Sequence, residues 1–404
     1  MHKLTLAHPM FSFFTKSIFP IVFSAILLSL TTSCKKDKDP NPSSSSESKK
    51  QEIVNNYAEI VYASYIDSYN KAEDLQTKIN AFISEPSAQK LNEAKQAWLA
   101  ARVPYLQTEA YRFYDGPIDD PETGVEGLLN AWPMDESYID YVEGNENAGI
   151  INDLSVDLTK ENLTALNEGG GAAETSISVG YHAIEFLLWG QDFNNDGPGN
   201  RPYTDFVVGG TAKNQARRAQ YLRTIADILV EDLDYLVKSW APGTNNYRKS
   251  FEANIDESLR DILFGFASLS GGELAGERMQ VSLESGQQED EHSCFSDNTH
   301  NDIIYDALGL ENVYYGRYTK LDGTIIDKAG IDELIVAKDV DLSSKMNTQL
   351  ATTKTSVNAI HHPFDQEITD PEGKKRIQTA IESLYKQADL ITEIAAKLGI
   401  SFNK

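Results

Sequence analysis

The sequence predicts an all-α protein, built as two helical-bundle halves packed together. Three observations carry this reading. Apolar residues recur at helical spacing through most of the chain after residue 50, as in Ile53, Tyr57, Ile60, Val61 and Tyr65. Proline and glycine cluster mainly between those stretches, as at Pro242-Gly243 and Asp370-Pro371. At 404 residues and 41% hydrophobic content, the chain can bury a large core.

The first element is not part of the fold. Lys3 and Lys16 precede an apolar run from Ile18 to Leu30, too short for a comfortable membrane span. Residues 1–33 therefore read as an export signal. Leu30-Thr31-Thr32-Ser33-Cys34 resembles a bacterial lipobox, with the leucine four positions before the cysteine rather than three. Cys34 is the expected lipidation site; a plain secretory signal with a stray cysteine is the alternative. Residues 34–50 are polar, serine-rich and contain Pro40 and Pro42, which suits a flexible tether. The chain would sit in the cell envelope, touching the membrane through its lipid anchor only.

The N-terminal half spans 51–207. Helices are expected over 51–83 and 86–114, the second with Leu91, Ala94, Trp98, Ala101 and Tyr105 inward. Residues 115–132 hold Gly116, Pro117, Pro121, Gly124 and Gly127 and read as a loop. Short helices follow at 135–143 and 159–168. Gly169-Gly170-Gly171 then breaks the chain before a helix at 175–189, with Gly190 at its C-cap. In the next loop, Asp192-x-Asn194-x-Asp196-Gly197 matches the opening of an EF-hand calcium loop. The twelfth position is Tyr203, not glutamate, so an Asx-rich turn is the favoured reading.

The C-terminal half spans 208–404. It should contain helices at 211–240 and at 247–284, the latter interrupted near Ser270-Gly271-Gly272. An acidic block at 287–300, a short helix at 300–309 and a hairpin around Leu321-Asp322-Gly323 follow. Helices at 339–359 and 371–398 close the chain. Asp370 and Pro371 cap the last one, and Ile377, Ile381, Leu384, Ile391 and Leu398 form its apolar face.

The net charge is −25; the leader contributes +2, so the part after residue 33 carries −27 (−25 minus 2). Such a chain repels nucleic acid and anionic lipid surfaces, but is compatible with cationic ligands. Only Cys34 and Cys294 exist. With Cys34 lipidated, no intrachain disulfide is expected and Cys294 reads as a small buried apolar residue.

The chemistry centres on Gly180-Tyr181-His182-Ala183-Ile184-Glu185, where an imidazole and a carboxylate lie on one face of an apolar helix. A buried carboxylate needs a partner: a metal, an arginine or an internal hydrogen bond. Glu109 and Arg112 repeat the i,i+3 geometry. Glu289, Asp290, Glu291, His292, Ser293, Asp297, Asn298 and His300 crowd the acidic block. Glu277 and Arg278 are placed to pair with that block or with Glu109 and Arg112. No HExxH, G-x-S-x-G or phosphate-binding glycine loop is present.

Gly180-x-His182-x-x-Glu185 within GYHAIEFLLWGQD resembles the signature of the imelysin family, also called peptidase family M75 and iron-regulated proteins. The block from Gln288 to His300 and the stretch RVPYLQTEAYRFYDGPI, Arg102 to Ile118, are similar to further blocks of that family. The resemblance implies two helical-bundle halves, a cleft between them and an association with iron uptake. Two functions follow as expectations. The first is binding of iron, another divalent metal or an iron-containing ligand, with envelope transport proteins as partners. The alternative is an M75-type metallopeptidase. The expected metal ligands are His182, Glu185 and Glu109. Arg102, Arg112, Glu277, Arg278, Glu289, Asp290, His292, Ser293, Asp297 and Asn298 are expected around them.

Overall fold

The structure, a computed structural model, describes residues 42–169, 174–194 and 196–402. The expected signal, Cys34 and the first part of the tether lie outside those residues.

Helix α1 runs Pro42–Ser84 and buries Ile53, Val54, Tyr57, Val61 and Tyr65. It begins inside the expected tether, so residues 42–50 are helical. Lys49 reaches Glu333 at 2.9 Å and Lys50 reaches Asp256 at 2.7 Å. Such half-exposed pairs contribute little; the buried face of α1 carries the helix. Helix α2, Ala88–Gln107, is capped by Ser87, whose hydroxyl accepts from the Lys90 N–H. It ends sooner than expected and tightens into a 3₁₀ turn at Thr108–Tyr111.

Short helices α3 (Glu126–Leu129), α4 (Glu136–Ile139) and α5 (Lys160–Leu166) lead to α6 (Gly180–Trp189). Every residue of α6 is buried, which explains its near-continuous apolar sequence. Helix α7 (Gln215–Trp240) packs against α1 and α6. Helix α8 (Tyr247–Ala253) is separated from α9 (Ile255–Ala267) at Asn254. From α9 the rod continues without a break through a π-helix (Ser268–Gln280) into α10 (Val281–Ser285). The interruption expected at Ser270-Gly271-Gly272 is thus a change of winding.

Helix α11 (Thr299–Tyr315) leads into the two-stranded sheet of β1 (Arg317–Thr319) and β2 (Ile325–Asp327). These are antiparallel, with Tyr318 opposite Ile326. Helices α12 (Ile331–Val336), α13 (Val340–Val357), α14 (Phe364–Thr369) and α15 (Pro371–Leu398) complete the fold. Asp370 caps α15 by accepting from the N–H groups of Glu372 and Gly373. Helix α15 packs on α13 and on the π-helix.

The all-α class holds. The chain from Pro42 onward gathers in one compact unit. Helix α1 lies against both α2 and α7, which fall on opposite sides of the expected boundary at residue 207. Among the described residues no helix is long and apolar enough to cross a membrane.

Candidate functional site

Gly180 opens α6 with φ +90°, a conformation that disfavours any side chain. A Cβ there would stand 2.7 Å from the Leu129 carbonyl oxygen. Glycine is thus needed both for the turn and for the close approach of α3. The turn sets His182 and Glu185 on one inward face. His182 Nδ1 lies 2.9 Å from Glu185 Oε2. The other carboxylate oxygen, Oε1, accepts from the Ser296 N–H at 2.9 Å and its hydroxyl at 2.6 Å. His182 Nε2 is buried and has no partner.

A second imidazole stands beside the first. The rings of His182 and His292 are 4.6 Å apart, edge to face, and Trp132 flanks both. His292 Nδ1 is 2.7 Å from Asp302 Oδ2. That oxygen also accepts from the Ser293 hydroxyl at 2.5 Å and from Arg102 at 3.3 Å. Asn298 donates to the other Asp302 oxygen at 3.0 Å, and Arg102 donates to Asn130. Each imidazole therefore has its Nδ1 on a carboxyl group, an arrangement that orients the ring and leaves Nε2 for a ligand.

The electrostatics differ between the two pairs. Burial opposes the Asp302 charge, but Arg102 and His292 hold it well below the usual carboxylate range. Burial, reinforced by Arg278, lowers His292 to about 4 against the pull of Asp302. Glu185 goes the other way, pushed by burial to about 8 despite the Ser296 hydrogen bonds. Burial and His292 together hold His182 well below its usual value. Near neutral pH both imidazoles are uncharged, the state a metal or hydrogen-bond donor requires of them.

Glu109 belongs to a neighbouring charge network. Its Oε2 accepts from Arg112 at 2.7 Å and Arg278 at 2.6 Å. Arg278 also donates to Asp306 at 2.6 Å and Glu273 at 3.1 Å. Burial resists the Glu109 charge, but the two arginines win and bring it down to about 2. Arg278 and Glu273 are five residues apart, the repeat of a π-helix. This is why Glu273, rather than the expected and exposed Glu277, joins the network. A cavity of about 310 Å³ opens onto both centres. Arg112, Glu126, Trp132, Glu273, Arg278 and His292 are among its lining residues, with Glu277 and Asp290 also there.

Two of the three predicted stretches line this cavity, through Arg112 and through Asp290 and His292, and His182 of the third packs against His292, but the expected ligand set of His182, Glu185 and Glu109 does not assemble. Among the described residues no three His, Cys, Asp or Glu side chains stand where they could hold a metal ion. The physical reason is that Glu109 is committed to two arginines and Glu185 to His182 and Ser296. Arg112 and Arg278 donate to the Glu109 carboxylate. Glu289 is exposed, and Asp297 belongs to a different cavity, described below. The sequence reading missed Asp302, Ser296, Trp132 and Asn130. Only Asp302 left a trace, four residues after Asn298 in the first turn of α11.

The family model for imelysin matches residues 61–391. Iron-regulated protein A of Synechococcus elongatus is 24% identical over 344 residues, covering 82% of each chain. A solved structure from Parabacteroides distasonis, named as an iron-regulated protein A precursor, superposes with a TM-score of 0.69 at 21% identity. It covers 90% of this chain and 97% of its own. An imelysin-like protein from Psychrobacter arcticum superposes with a TM-score of 0.60 at 13% identity, over 89% and 98% of the two chains. With the match running through most of the described fold, including α6 and the block that supplies His292, the chain belongs to the imelysin family.

Proposed function

We propose that this protein is an exported, lipid-anchored member of its family that binds an iron-containing ligand at the His182–His292 pair and takes part in iron uptake. The observation that carries the reading is the unpartnered, buried His182 Nε2 beside a second carboxylate-oriented imidazole. Iron accepts imidazole nitrogen readily. The residues fit iron that brings part of its own coordination shell better than a bare ion, because a third protein donor is not at hand. The name of the cyanobacterial relative supports the link to iron. The chain's own part is to hold both imidazoles neutral and oriented, and to line the approach with Trp132. An M75-type hydrolytic metal would need three protein ligands and an open position, so the peptidase alternative draws less support from this geometry.

Trp132, 5.0 Å from His182, provides the readout. Ferric citrate should quench part of the tryptophan fluorescence of the wild-type chain, and His182→Ala should abolish that quenching while melting within a few degrees of wild type. Equal quenching in both proteins would reject the imidazole pair as the site. The anchor is tested separately. Cys34→Ser should release the protein from membranes, and unchanged attachment would sink the lipoprotein reading.

A further inference from the structure

Helix α2 turns an amide-rich side towards the loop that follows α6. Asn92, Lys95, Gln96 and Leu99 fall at i, i+3, i+4 and i+7, on one side of the helix, and all four line a cavity of about 620 Å³. Asn194 and Asn200 of the loop also line it, with Asp297 and Asn301 from the start of α11 and the block before it. A second cavity, of about 470 Å³, shares Trp189, Asn194 and Asn200 with the first, so the two abut. It adds Glu143, Glu146, Gln191 and Phe193. Neither cavity shares a lining residue with the one at His292.

Much of the hydrogen-bonding capacity in these walls is unspent. Among the described residues the side-chain amides of Asn92, Gln96 and Asn200 meet no partner. Asn194 donates to the Pro198 carbonyl at 2.8 Å and Asn301 to Asn298 Oδ1 at 2.9 Å, which leaves each its own amide oxygen. Asp297, 3% exposed, keeps one carboxylate oxygen, Oδ2, without a partner. Lys95 has no acid beside it; its Nζ stands over the Trp189 ring, 5.2 Å from the centroid, and burial lowers it to about 8. Arg201, in the second cavity, is committed to Asp140 at 2.8 Å. Phe193 is 60% exposed. Single exposed apolar residues are ordinary, but this ring stands in a cavity with polar and charged walls.

We propose that the two cavities form one groove that binds a neutral oligosaccharide, with hydroxyl groups on the amides of the first cavity and a sugar face on Phe193 in the second. A sugar hydroxyl both donates and accepts, and so does a side-chain amide, so amides spaced along a wall match neighbouring hydroxyls without any charge. The C–H face of a pyranose is apolar and suits an open aromatic ring. The charges set the class of sugar. Asp196, Asp297, Glu143 and Glu146 line the groove against the single unpaired Lys95, so a uronic acid or a sulfated sugar would meet net repulsion. An organic cation would find carboxylates but would leave most of the amides unmatched. Two abutting cavities in the size range of ligand sites call for several linked sugars rather than one. This site is independent of the iron reading.

The test is calorimetric titration of the full chain with maltohexaose, laminarihexaose and chitohexaose, with glucose and hexagalacturonate alongside. At least one neutral hexasaccharide should bind, roughly tenfold or more tighter than glucose, because only a chain reaches both cavities. Hexagalacturonate should bind more weakly than that hexasaccharide. Phe193→Ala should weaken binding about three- to tenfold, the worth of one aromatic contact. Gly197→Tyr probes the first cavity, which Gly197 lines. A Cβ there meets nothing within 4 Å, so the ring should occupy the groove, abolish binding and leave the melting temperature unchanged. Gln96→Ala, on the exposed side of α2, should weaken binding severalfold and serves the same purpose if Gly197→Tyr melts early. Absence of binding by all three neutral hexasaccharides, tighter binding of hexagalacturonate, or wild-type affinity in the variants would overturn the proposal.

Discussion

Replacing Asp140 by alanine tests the buried charge logic at a second ion network, that of Arg201 and Arg218. Asp140 is fully buried and accepts three bonds from arginines: Arg201 at 2.8 Å and Arg218 at 2.6 and 2.8 Å. Removing one partner of a buried pair leaves uncompensated charge and costs about 3–5 kcal/mol. Arg218 would keep the Asp205 and Lys213 carbonyls at 2.9 and 3.0 Å, and Arg201 would keep the Asp205 carboxylate at 3.4 Å. Those retained acceptors place the expected cost near the lower end, about 3 kcal/mol. At about 2 °C per kcal/mol for a large domain, the melting temperature should fall by roughly 6 °C. Urea unfolding of Asp140→Ala against wild type measures it. Adding Arg218→Met should recover part of the loss. The pH dependence has a fixed sign. Burial opposes the Asp140 charge, but the two arginines overcome it, so the folded pKa lies below the unfolded one. The stabilisation is fully present above about pH 3.9, the unfolded value, and is lost as the pH falls through the lower folded value. A loss under about 1 kcal/mol, typical of exposed pairs, or a double variant no more stable than Asp140→Ala, would refute the reasoning.

Two other outcomes follow from the described geometry. Gly180→Ala should cost roughly 2–4 kcal/mol in urea unfolding, combining a strained positive φ with the Leu129 carbonyl contact, whereas Gly272→Ala, with open space around it, should cost under about 1 kcal/mol. Asp232 is raised to about 7 by burial and by Glu231, so the folded state holds its proton longer than the unfolded one and stability falls as the pH rises from about 4 towards 7; Asp232→Asn should flatten that slope between pH 5 and pH 7 in urea midpoints.

Most long elements were legible because periodicity and caps point the same way. Helix α15 is the clearest case: Asp370-Pro371 marks its start and a single apolar face runs its length. Glycine was the main source of error, since it serves two ends. Gly309 reads as a stop, yet α11 runs on to Tyr315. The glycine is there because a Cβ would stand 2.5 Å from the Gln107 carbonyl oxygen of α2. The real stop is Gly316, with φ +62°. In the site, His182 and Glu185 were visible as polar residues in an apolar helix. The His292–Asp302 pair was not, because Asp302 lies beyond the acidic block, in the first turn of α11, and nothing in the sequence ties it to His292. Serine-rich residues 42–50 read as tether because polar composition alone does not distinguish a solvated helix start from coil. Their helicity depends on α1 continuing back from its buried face.

The π-winding between α9 and α10 has a consequence for how chains of this kind are aligned. Each residue of an α-helix turns the next by about 100°, so one residue more or less redirects everything beyond it. Arg278 meets Glu109 and Asp306 only with the register that this winding gives. A relative one residue shorter between positions 268 and 280 would carry its arginine on another side of the rod, even if every flanking residue were identical. To keep the ion network it would need the basic residue at a different position in the count. Equivalent side chains in this stretch are therefore found by where they point, and numbering along the chain is a poor guide to them.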